Sequence, residues 1–194
     1  MVEISTVAII GAGISGRWIA CLAALGGYRT ILEDILPATL RKAEAGMRAS
    51  LHRASLNCDS PNNANANADA EAEAAQALAR IEYASTVEEA ARQADLVIEA
   101  VPDELESKIE IFTLLDKICR PETILALNTA TINITEIASV TYRPQKCIGM
   151  RFTNPANQPT RLELLPSQST SQETLDACVK AGKRMAKEVV ILGP

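Results

Sequence analysis

The sequence predicts an α/β fold in which a doubly wound, mainly parallel sheet carries helices on both faces. Two observations predict it. Short runs of branched apolar residues alternate with longer helical patterns along the 194 residues, which is typical of chains built from strand–helix–strand units. The runs at 6–10 and 123–127 are almost wholly apolar, as expected of strands that are covered on both faces.

The individual elements follow from local patterns in order along the chain. Branched apolar runs predict strands at 6–10, 30–33, 95–101, 123–127, 146–152, 161–165 and 189–192. Apolar residues at helical spacing predict helices at 14–25, 37–56, about 69–79, 86–92, 104–119, 132–139 and 172–187. Pro37 fits the first turn of its helix, where its missing N–H costs nothing.

The composition argues against several classes of protein. Of all residues, 47% are hydrophobic and 22% are charged, which is ordinary for a globular domain that needs no disulfide or structural metal. A net charge of −5 argues against a nucleic-acid partner. No apolar run approaches the ~20 residues that span a bilayer, and the first residues lack a secretion signal.

Cysteine and histidine content adds two expectations. The cysteines are scattered without zinc-ligand spacing: Cys21, Cys58, Cys119, Cys147 and Cys178. This odd set predicts reduced thiols and a cytoplasmic location. Because His52 is the single histidine, no metal site is predicted, and its place in the helix at 37–56 predicts a surface position.

A glycine-rich hexapeptide directly follows the first predicted strand. Residues 11–16 are Gly-Ala-Gly-Ile-Ser-Gly and open a helix. Gly11 permits a tight turn, Gly13 lets the backbone approach a pyrophosphate, and Gly16 lets helix and strand pack closely. The N–H groups of the first turn, which holds Ile14 and Ser15, favour phosphates. The alternative is a glycine turn in a fold that binds another ligand.

The second predicted strand ends in acidic residues. Asp34 lies eighteen residues beyond Gly16, close to the offset of a carboxylate that bonds the adenosine ribose hydroxyls. Its neighbour Glu33 is the alternative candidate for that role. A carboxylate here repels a 2′-phosphate, so the sequence predicts NAD rather than NADP as the cofactor.

Three further blocks follow in a fixed order. Residues 97–104 are Val-Ile-Glu-Ala-Val-Pro-Asp-Glu, 127–138 are Leu-Asn-Thr-Ala-Thr-Ile-Asn-Ile-Thr-Glu-Ile-Ala, and 149–155 are Gly-Met-Arg-Phe-Thr-Asn-Pro. In this order and spacing they resemble the NAD-binding (N-terminal) domain of the 3-hydroxyacyl-CoA dehydrogenase family, and the resemblance runs to Leu192. It implies a Rossmann-like domain with an inserted helical pair after the second strand.

The resemblance also implies cofactor contacts. The glycine loop and Asp34 would hold the adenosine and the pyrophosphate, Asp103 and Lys108 would lie near the riboses, and Asn128 would approach the nicotinamide ribose. For Asp103 and Lys108 the alternative is a solvated helix start, with an acid near the positive end of the dipole. The full predicted cofactor-binding set is Gly11, Gly13, Ile14, Ser15, Gly16, Asp34, Ala100, Val101, Asp103, Lys108 and Asn128.

The catalytic positions depart from the family pattern. Ser-Asn-Thr-Ser-Ser of the family becomes Leu-Asn-Thr-Ala-Thr at 127–131, so the substrate-polarising hydroxyl falls on Ala130. His-Phe-Phe-Asn-Pro becomes Arg-Phe-Thr-Asn-Pro at 151–155. The general base therefore falls on Arg151, which stays protonated and cannot accept a hydroxyl proton. Asn154 is retained, and Glu163 matches the carboxylate that orients the histidine.

The predicted catalytic set is accordingly Arg151, Glu163, Asn154 and Thr131. Thr131 could supply the hydroxyl that Ala130 lacks. Arg151 could hold a substrate carboxylate through its planar fork, which favours a free hydroxy or keto acid over a thioester. The alternative is a structural ion pair between Arg151 and Glu163 that fills a disused pocket.

The helical pair departs from the family as well. In the family it carries coenzyme A contacts, including a lysine. The stretch 57–79 is rich in Ala and Asn, contains no Lys or Arg, and places a turn at 61–63 before a helix. Its acids, which disfavour a polyphosphate, are Asp59, Asp69, Glu71 and Glu73. Bases on the preceding helix either compensate or form a solvated face: Arg41, Lys42, Arg48 and Arg53.

Two functional hypotheses follow. One is the NAD-binding domain, residues 1–194, of an oxidoreductase that transfers hydride between NAD and a 3-hydroxyacyl-CoA or hydroxy-acid substrate. The other is an NAD-binding pseudoenzyme or regulatory module without dehydrogenase activity. The family continues into a helical domain that makes the dimer. That domain is expected to be absent from this chain, and a homodimer is expected only if the native gene continues.

Overall fold

The computed structural model describes residues 3–56, 64–153 and 160–193, with the side chains of 53–56 and 64–68 left aside. Within these residues eight strands form one sheet in the order β3-β2-β1-β4-β5-β6-β7-β8. They are β1 (Thr6–Ile10), β2 (Arg29–Glu33), β3 (Ile81–Ala84), β4 (Leu96–Glu99), β5 (Ile124–Leu127), β6 (Cys147–Thr153), β7 (Arg161–Pro166) and β8 (Glu188–Ile191).

The sheet is parallel from β3 across to β6. Strand β7 is antiparallel to β6, and β8 is parallel to β7. The order changes direction at β1, whose two neighbours are β2 and β4. The prediction of a Rossmann-like, doubly wound and mainly parallel sheet is confirmed, because the strands run parallel from β3 to β6 and helices cover both faces.

Seven α-helices cover the sheet in the described part of the chain. They are α1 (Ile14–Leu25), α2 (Pro37–Leu56), α3 (Ala64–Ala79), α4 (Val87–Ala91), α5 (Leu105–Ile118), α6 (Ile134–Ala138) and α7 (Gln172–Met185). One apolar core joins α1, α2, α3 and α7 to one face of the sheet, and a second core joins α4, α5 and α6 to the other face. Helices α2 and α3 form the inserted pair between β2 and β3.

Burial on both faces explains the apolar strands. In β1, Val7 and Ile9 belong to one core, whereas Ala8 and Ile10 belong to the other. Successive side chains of a strand point to opposite faces, so each position of β1 packs against a helical layer. All five of its residues are buried.

One strand was not predicted from the sequence. The structure adds β3 at Ile81–Ala84, which pairs in parallel with β2 at the sheet edge. Only Ile81 and Ala84 of its four residues are buried. An edge strand this short carries little periodic signal, so its pairing with β2 establishes it.

Several element ends also differ from prediction. Helix α3 begins at Ala64 rather than near 69, and α7 ends at Met185, where Ala186 turns extended. Helix α6 begins at Ile134 rather than 132, because the Asn133 side chain accepts a hydrogen bond of 2.8 Å from the Thr135 N–H. The predicted turn at 61–63, Cys58 and Asn154 lie outside the described residues.

The described residues hold neither a membrane-spanning helix nor a cluster of potential metal ligands. None of their helices is long and apolar enough to cross a membrane. No group of three or more His, Cys, Asp and Glu side chains there is arranged to hold a metal ion. The cysteines that the structure describes are buried free thiols: Cys21, Cys119, Cys147 and Cys178.

Candidate active site

The carboxyl ends of the parallel strands border one continuous cleft of about 1140 Å³. It lies where the strand order changes direction beside β1, the place at which doubly wound sheets bind ligands. The glycine loop and the end of β2 line one part, and the β5–α6 loop with β6 lines another. The predicted residues along it are Gly11, Gly13, Ile14, Ser15, Asp34, Ala100, Val101, Asp103, Asn128 and Arg151.

The glycine loop has the geometry that a pyrophosphate requires. Gly11 has a φ of 102°, which side chains rarely adopt. A Cβ at Gly13, which precedes α1, would meet nothing within 4 Å, so its backbone is open to the cleft. A Cβ at Gly16 would lie 1.8 Å from the Gly11 carbonyl oxygen. The N-terminus of α1 is therefore accessible to phosphate oxygens.

The two acids at the end of β2 have different environments. Asp34 is partly exposed, and its carboxylate accepts hydrogen bonds from the N–H groups of Ala12 at 3.1 Å and Leu36 at 2.9 Å. Glu33 is only 4% exposed. Burial, aided by the nearby charge of Asp34, raises the pKa of Glu33 to about 7. Of the two, Asp34 is the acid better able to meet a ribose from solvent.

A buried ion pair lies beneath the centre of the cleft. The side chains of Glu99, at the end of β4, and Lys108, in α5, are both 0% exposed. Lys108 Nζ donates to the two Glu99 oxygens at 2.9 and 2.7 Å. It also donates to the carbonyl oxygens of Val101 at 3.4 Å and Asn128 at 3.3 Å. Because its ammonium is fully buried and compensates Glu99 inside the fold, Lys108 is neither part of a solvated helix start nor exposed to a cofactor ribose.

The ion pair binds the backbone of the cleft wall to the sheet. The N–H of Val101 donates to Glu99 at 2.6 Å, so Glu99 holds the chain where it leaves β4. Burial raises the pKa of Glu99 to about 7, although the Lys108 ammonium and the Val101 N–H act in the opposite direction. Glu99 and Lys108 therefore connect the ends of β4 and β5 with α5.

Asp103 organises the loop after β5. Its carboxylate accepts hydrogen bonds from the hydroxyls of Thr129 at 2.6 Å and Thr131 at 3.1 Å, and from the Ala130 N–H at 3.4 Å. Partial burial raises the pKa of Asp103, but these hydrogen bonds and the Lys108 charge outweigh it, so the pKa lies below its ordinary value. The Thr131 hydroxyl is thus already directed to Asp103.

Arg151 faces Glu163 across adjacent strands. The two residues are register partners in β6 and β7. Arg151 Nε donates to Glu163 Oε2 at 2.6 Å, and Nη2 forms an ion pair with the same oxygen. Arg151 Nη1 makes a longer contact of 3.4 Å with the Ala130 carbonyl oxygen. These are the two positions that the resemblance assigns to a histidine and to the carboxylate that orients it.

Some lining residues were not predicted from the sequence. Trp18 and Phe152 line the cleft with ring centroids 6.4 Å apart in an edge-to-face contact. Exposed Ile35 and half-buried Val87 line the part near Asp34. Glu99, which lies beneath the cleft, was not predicted either, although the sequence marks it as the single acid at the end of an apolar strand.

His52 and the described charged side chains of the helical pair do not line this cleft, although Thr39, in the first turn of α2, does. His52 is exposed, as predicted, and lines a separate groove between α2 and α3. The described acids of α3 are exposed: Asp69, Glu71 and Glu73. The described bases of α2 are exposed as well: Arg41, Lys42 and Arg48. Of these bases, Arg41 and Arg48 line the groove between α2 and α3 together with His52, while the side chain of Arg53 lies outside the described residues.

Comparison with known proteins establishes the family. The model of the family described as 3-hydroxyacyl-CoA dehydrogenase, NAD binding domain, matches residues 6–193. This chain belongs to that family. The predicted family and its cofactor, NAD, are thereby confirmed. The glycine loop and Asp34 provide the groups that such a dinucleotide needs.

Similar proteins carry matching descriptions. A probable 3-hydroxybutyryl-CoA dehydrogenase of Bacillus subtilis is 38% identical over 188 residues, which is 97% of this chain and 62% of the relative. The mitochondrial hydroxyacyl-coenzyme A dehydrogenase of Sus scrofa is 31% identical over 95% of this chain and 57% of its own length. A solved (S)-3-hydroxybutyryl-CoA dehydrogenase from Ralstonia eutropha has a TM-score of 0.86 at 33% identity, covering 98% of this chain and 64% of that one.

Proposed function

We propose that this chain, residues 1–194, is the NAD-binding domain of an oxidoreductase that transfers hydride between NAD and a 3-hydroxyacyl or hydroxy-acid substrate. The observation that carries the proposal is the single cleft, which joins the glycine loop and Asp34 to the loop at 128–130 and Arg151. NAD supplies the hydride acceptor when it is bound. The relatives named above are described as dehydrogenases of hydroxyacyl-CoA substrates.

Different residues of the cleft bind the adenosine and nicotinamide halves of the cofactor. The glycine loop and the N-terminus of α1 receive the pyrophosphate, and Asp34 receives the adenosine ribose. Asn128 and Asp103 lie toward the nicotinamide part of the cleft. Thr131 is directed to Asp103, so it replaces the hydroxyl missing at Ala130 only if that hydrogen bond is exchanged.

The step that this site supports least is removal of the proton from the substrate hydroxyl. Oxidation of a hydroxyl by hydride transfer needs a group that accepts its proton, and the guanidinium of Arg151 stays protonated. Loss of a positioned base costs on the order of 10²–10⁴ in rate. We expect oxidation to be slow, because Glu163 orients Arg151 instead of a histidine base.

The experiment uses Trp18, the single tryptophan of the chain. Because Trp18 lines the cleft and reduced nicotinamide absorbs where tryptophan emits, bound NADH should quench Trp18 and gain sensitised emission. NADH formation is then followed with 3-hydroxybutyryl-CoA and with free 3-hydroxybutyrate. Absence of NADH binding by both fluorescence and calorimetry would refute the proposed function.

A second candidate is an NAD-binding module without dehydrogenase activity. The ion pair between Arg151 and Glu163 favours it, because both side chains are already engaged where the family keeps a base. NADH binding without turnover of either substrate would select this candidate.

We also propose a cytoplasmic location, which the buried free thiols support.

A further inference from the structure

The two edges of the Arg151 guanidinium have different environments. An arginine fork carries five N–H donors. The side edge, Nε and Nη2, is directed to one oxygen of Glu163. At the terminal edge, Nη1 and Nη2, the contact found among described residues is the Ala130 carbonyl at 3.4 Å. That edge therefore keeps donors for a ligand.

Exposure indicates which way the terminal edge faces. The Arg151 side chain is 32% exposed, whereas that of Glu163 is 12% exposed. Arg151 lines the cleft and Glu163 does not. Glu163 thus holds the guanidinium from the sheet side, and the terminal edge lies at the cleft beside Ala130.

We propose that the terminal edge of Arg151 binds the carboxylate of the substrate, so the substrate is a free hydroxy or oxo acid rather than a thioester. This inference rests on the proposed function and names its substrate class. A carboxylate accepts two parallel charge-assisted hydrogen bonds from such an edge, whereas a neutral thioester carbonyl cannot. Glu163 keeps the fork in one orientation before the ligand arrives.

The helical pair supports the same substrate class independently. A thioester of coenzyme A brings a polyphosphate, which needs basic partners. The described acids of α3 are exposed and face solvent: Asp69, Glu71 and Glu73. Arg41 and Arg48 line the groove between α2 and α3, but the acids Glu44 and Glu71 line it as well, and Arg48 lies 3.6 Å from Glu44.

The test compares a free oxo acid with its neutral and thioester forms. Acetoacetate, ethyl acetoacetate and acetoacetyl-CoA are each titrated into the chain by calorimetry, with and without saturating NADH. We expect acetoacetate to bind about tenfold or more tightly than ethyl acetoacetate, since a charged hydrogen-bonded pair is lost in the ester. Equal or tighter binding of the ester or the thioester would overturn the inference.

Variants locate the site. Arg151→Met should abolish acetoacetate binding, and Arg151→Lys, which keeps the charge but loses the fork, should weaken it about tenfold. Arg161→Met is the matched control, because Arg161 lies on the neighbouring strand β7 and pairs with Glu188 at 2.9 Å outside the cleft. Unchanged acetoacetate binding in Arg151→Lys and Arg151→Met would overturn the inference.

The two proposals fail separately. The carboxylate titration of the cofactor-free chain tests Arg151 directly, since the guanidinium edge is formed by protein residues alone. NADH quenching of Trp18 tests cofactor binding in every variant and shows that each one is folded. NADH binding without acetoacetate binding refutes the substrate class alone, whereas loss of NADH binding refutes the proposed function.

Discussion

At the scale of single residues, the proposed chemistry depends on two side chains of the cleft, Ala130 and Arg151, which the resemblance matches to a serine and a histidine of the family. Ala130 has no hydroxyl, and Arg151 has no acceptor nitrogen. Glu163 and Arg151 remain joined in register. By the resemblance, Glu163 matches the carboxylate that orients a histidine, and in this structure it holds Arg151.

Restoring both groups should restore oxidation of a thioester. We expect Ala130→Ser with Arg151→His to raise NADH formation from 3-hydroxybutyryl-CoA on the order of 10²-fold, because a positioned base contributes that much or more. The assay uses a chimera that adds the part of the Bacillus subtilis relative lying outside the matched 188 residues. The single variants serve as controls. A similar rise without the added part would contradict its expected role in the substrate cleft.

Glu33 should make stability depend on pH. Burial raises the pKa of Glu33 from 4.5 to about 7, so the unfolded chain loses this proton first. The free energy of unfolding should fall as pH rises from about 4.5 to about 7. Glu33→Gln should remove that part of the fall and stabilise the chain at pH 8 by on the order of 2 kcal/mol. Thermal melts at pH 4 and pH 8 test this. Equal melting temperatures of variant and wild type at pH 8 would contradict it.

At the scale of elements, the buried ion pair explains how the loops of the cleft keep their positions. Lys108 in α5 contacts the end of β4 through Glu99 and the end of β5 through the Asn128 carbonyl. Asp103 continues this connection to Thr129 and Thr131. Three elements thus share one charged network beneath the predicted nicotinamide end.

Removing one member of the pair should be costly. Lys108→Met leaves Glu99 as an uncompensated charge in a fully buried site, and we expect a loss of about 3–5 kcal/mol in the free energy of unfolding. Glu99→Gln with Lys108→Met should recover much of that loss, because the buried charge disappears with its partner. Urea denaturation measures both. If Lys108→Met were as stable as wild type, Lys108 would not be offsetting the cost of burying Glu99.

At the scale of the whole molecule, one cleft joins contributions from distant parts of the chain. The glycine loop comes from residues 11–16, and Arg151 comes from the last third of the sequence. A ligand that spans the cleft therefore contacts many elements at once. Such a ligand should stabilise the folded chain as a unit.

Cofactor binding should raise the melting temperature with a preference for NADH. At 100 times the dissociation constant, a ligand adds about 2.7 kcal/mol to the free energy of unfolding. This amounts to roughly 5–10 °C for a chain of this size. NADPH at the same concentration should shift the transition much less, because Asp34 repels a 2′-phosphate. Equal shifts with both coenzymes would contradict the role of Asp34.

The sequence alone determined the alternation of strands and helices, the glycine loop, and the acid at the end of β2. These features depend on residues within a few positions of one another. The edge strand β3 and the burial of Lys108 against Glu99 required the tertiary structure. The resemblance suggested that Arg151 and Glu163 could pair, but the antiparallel register of β6 and β7 decided it. Strand order and burial bring distant residues together, and neither is encoded in local periodicity.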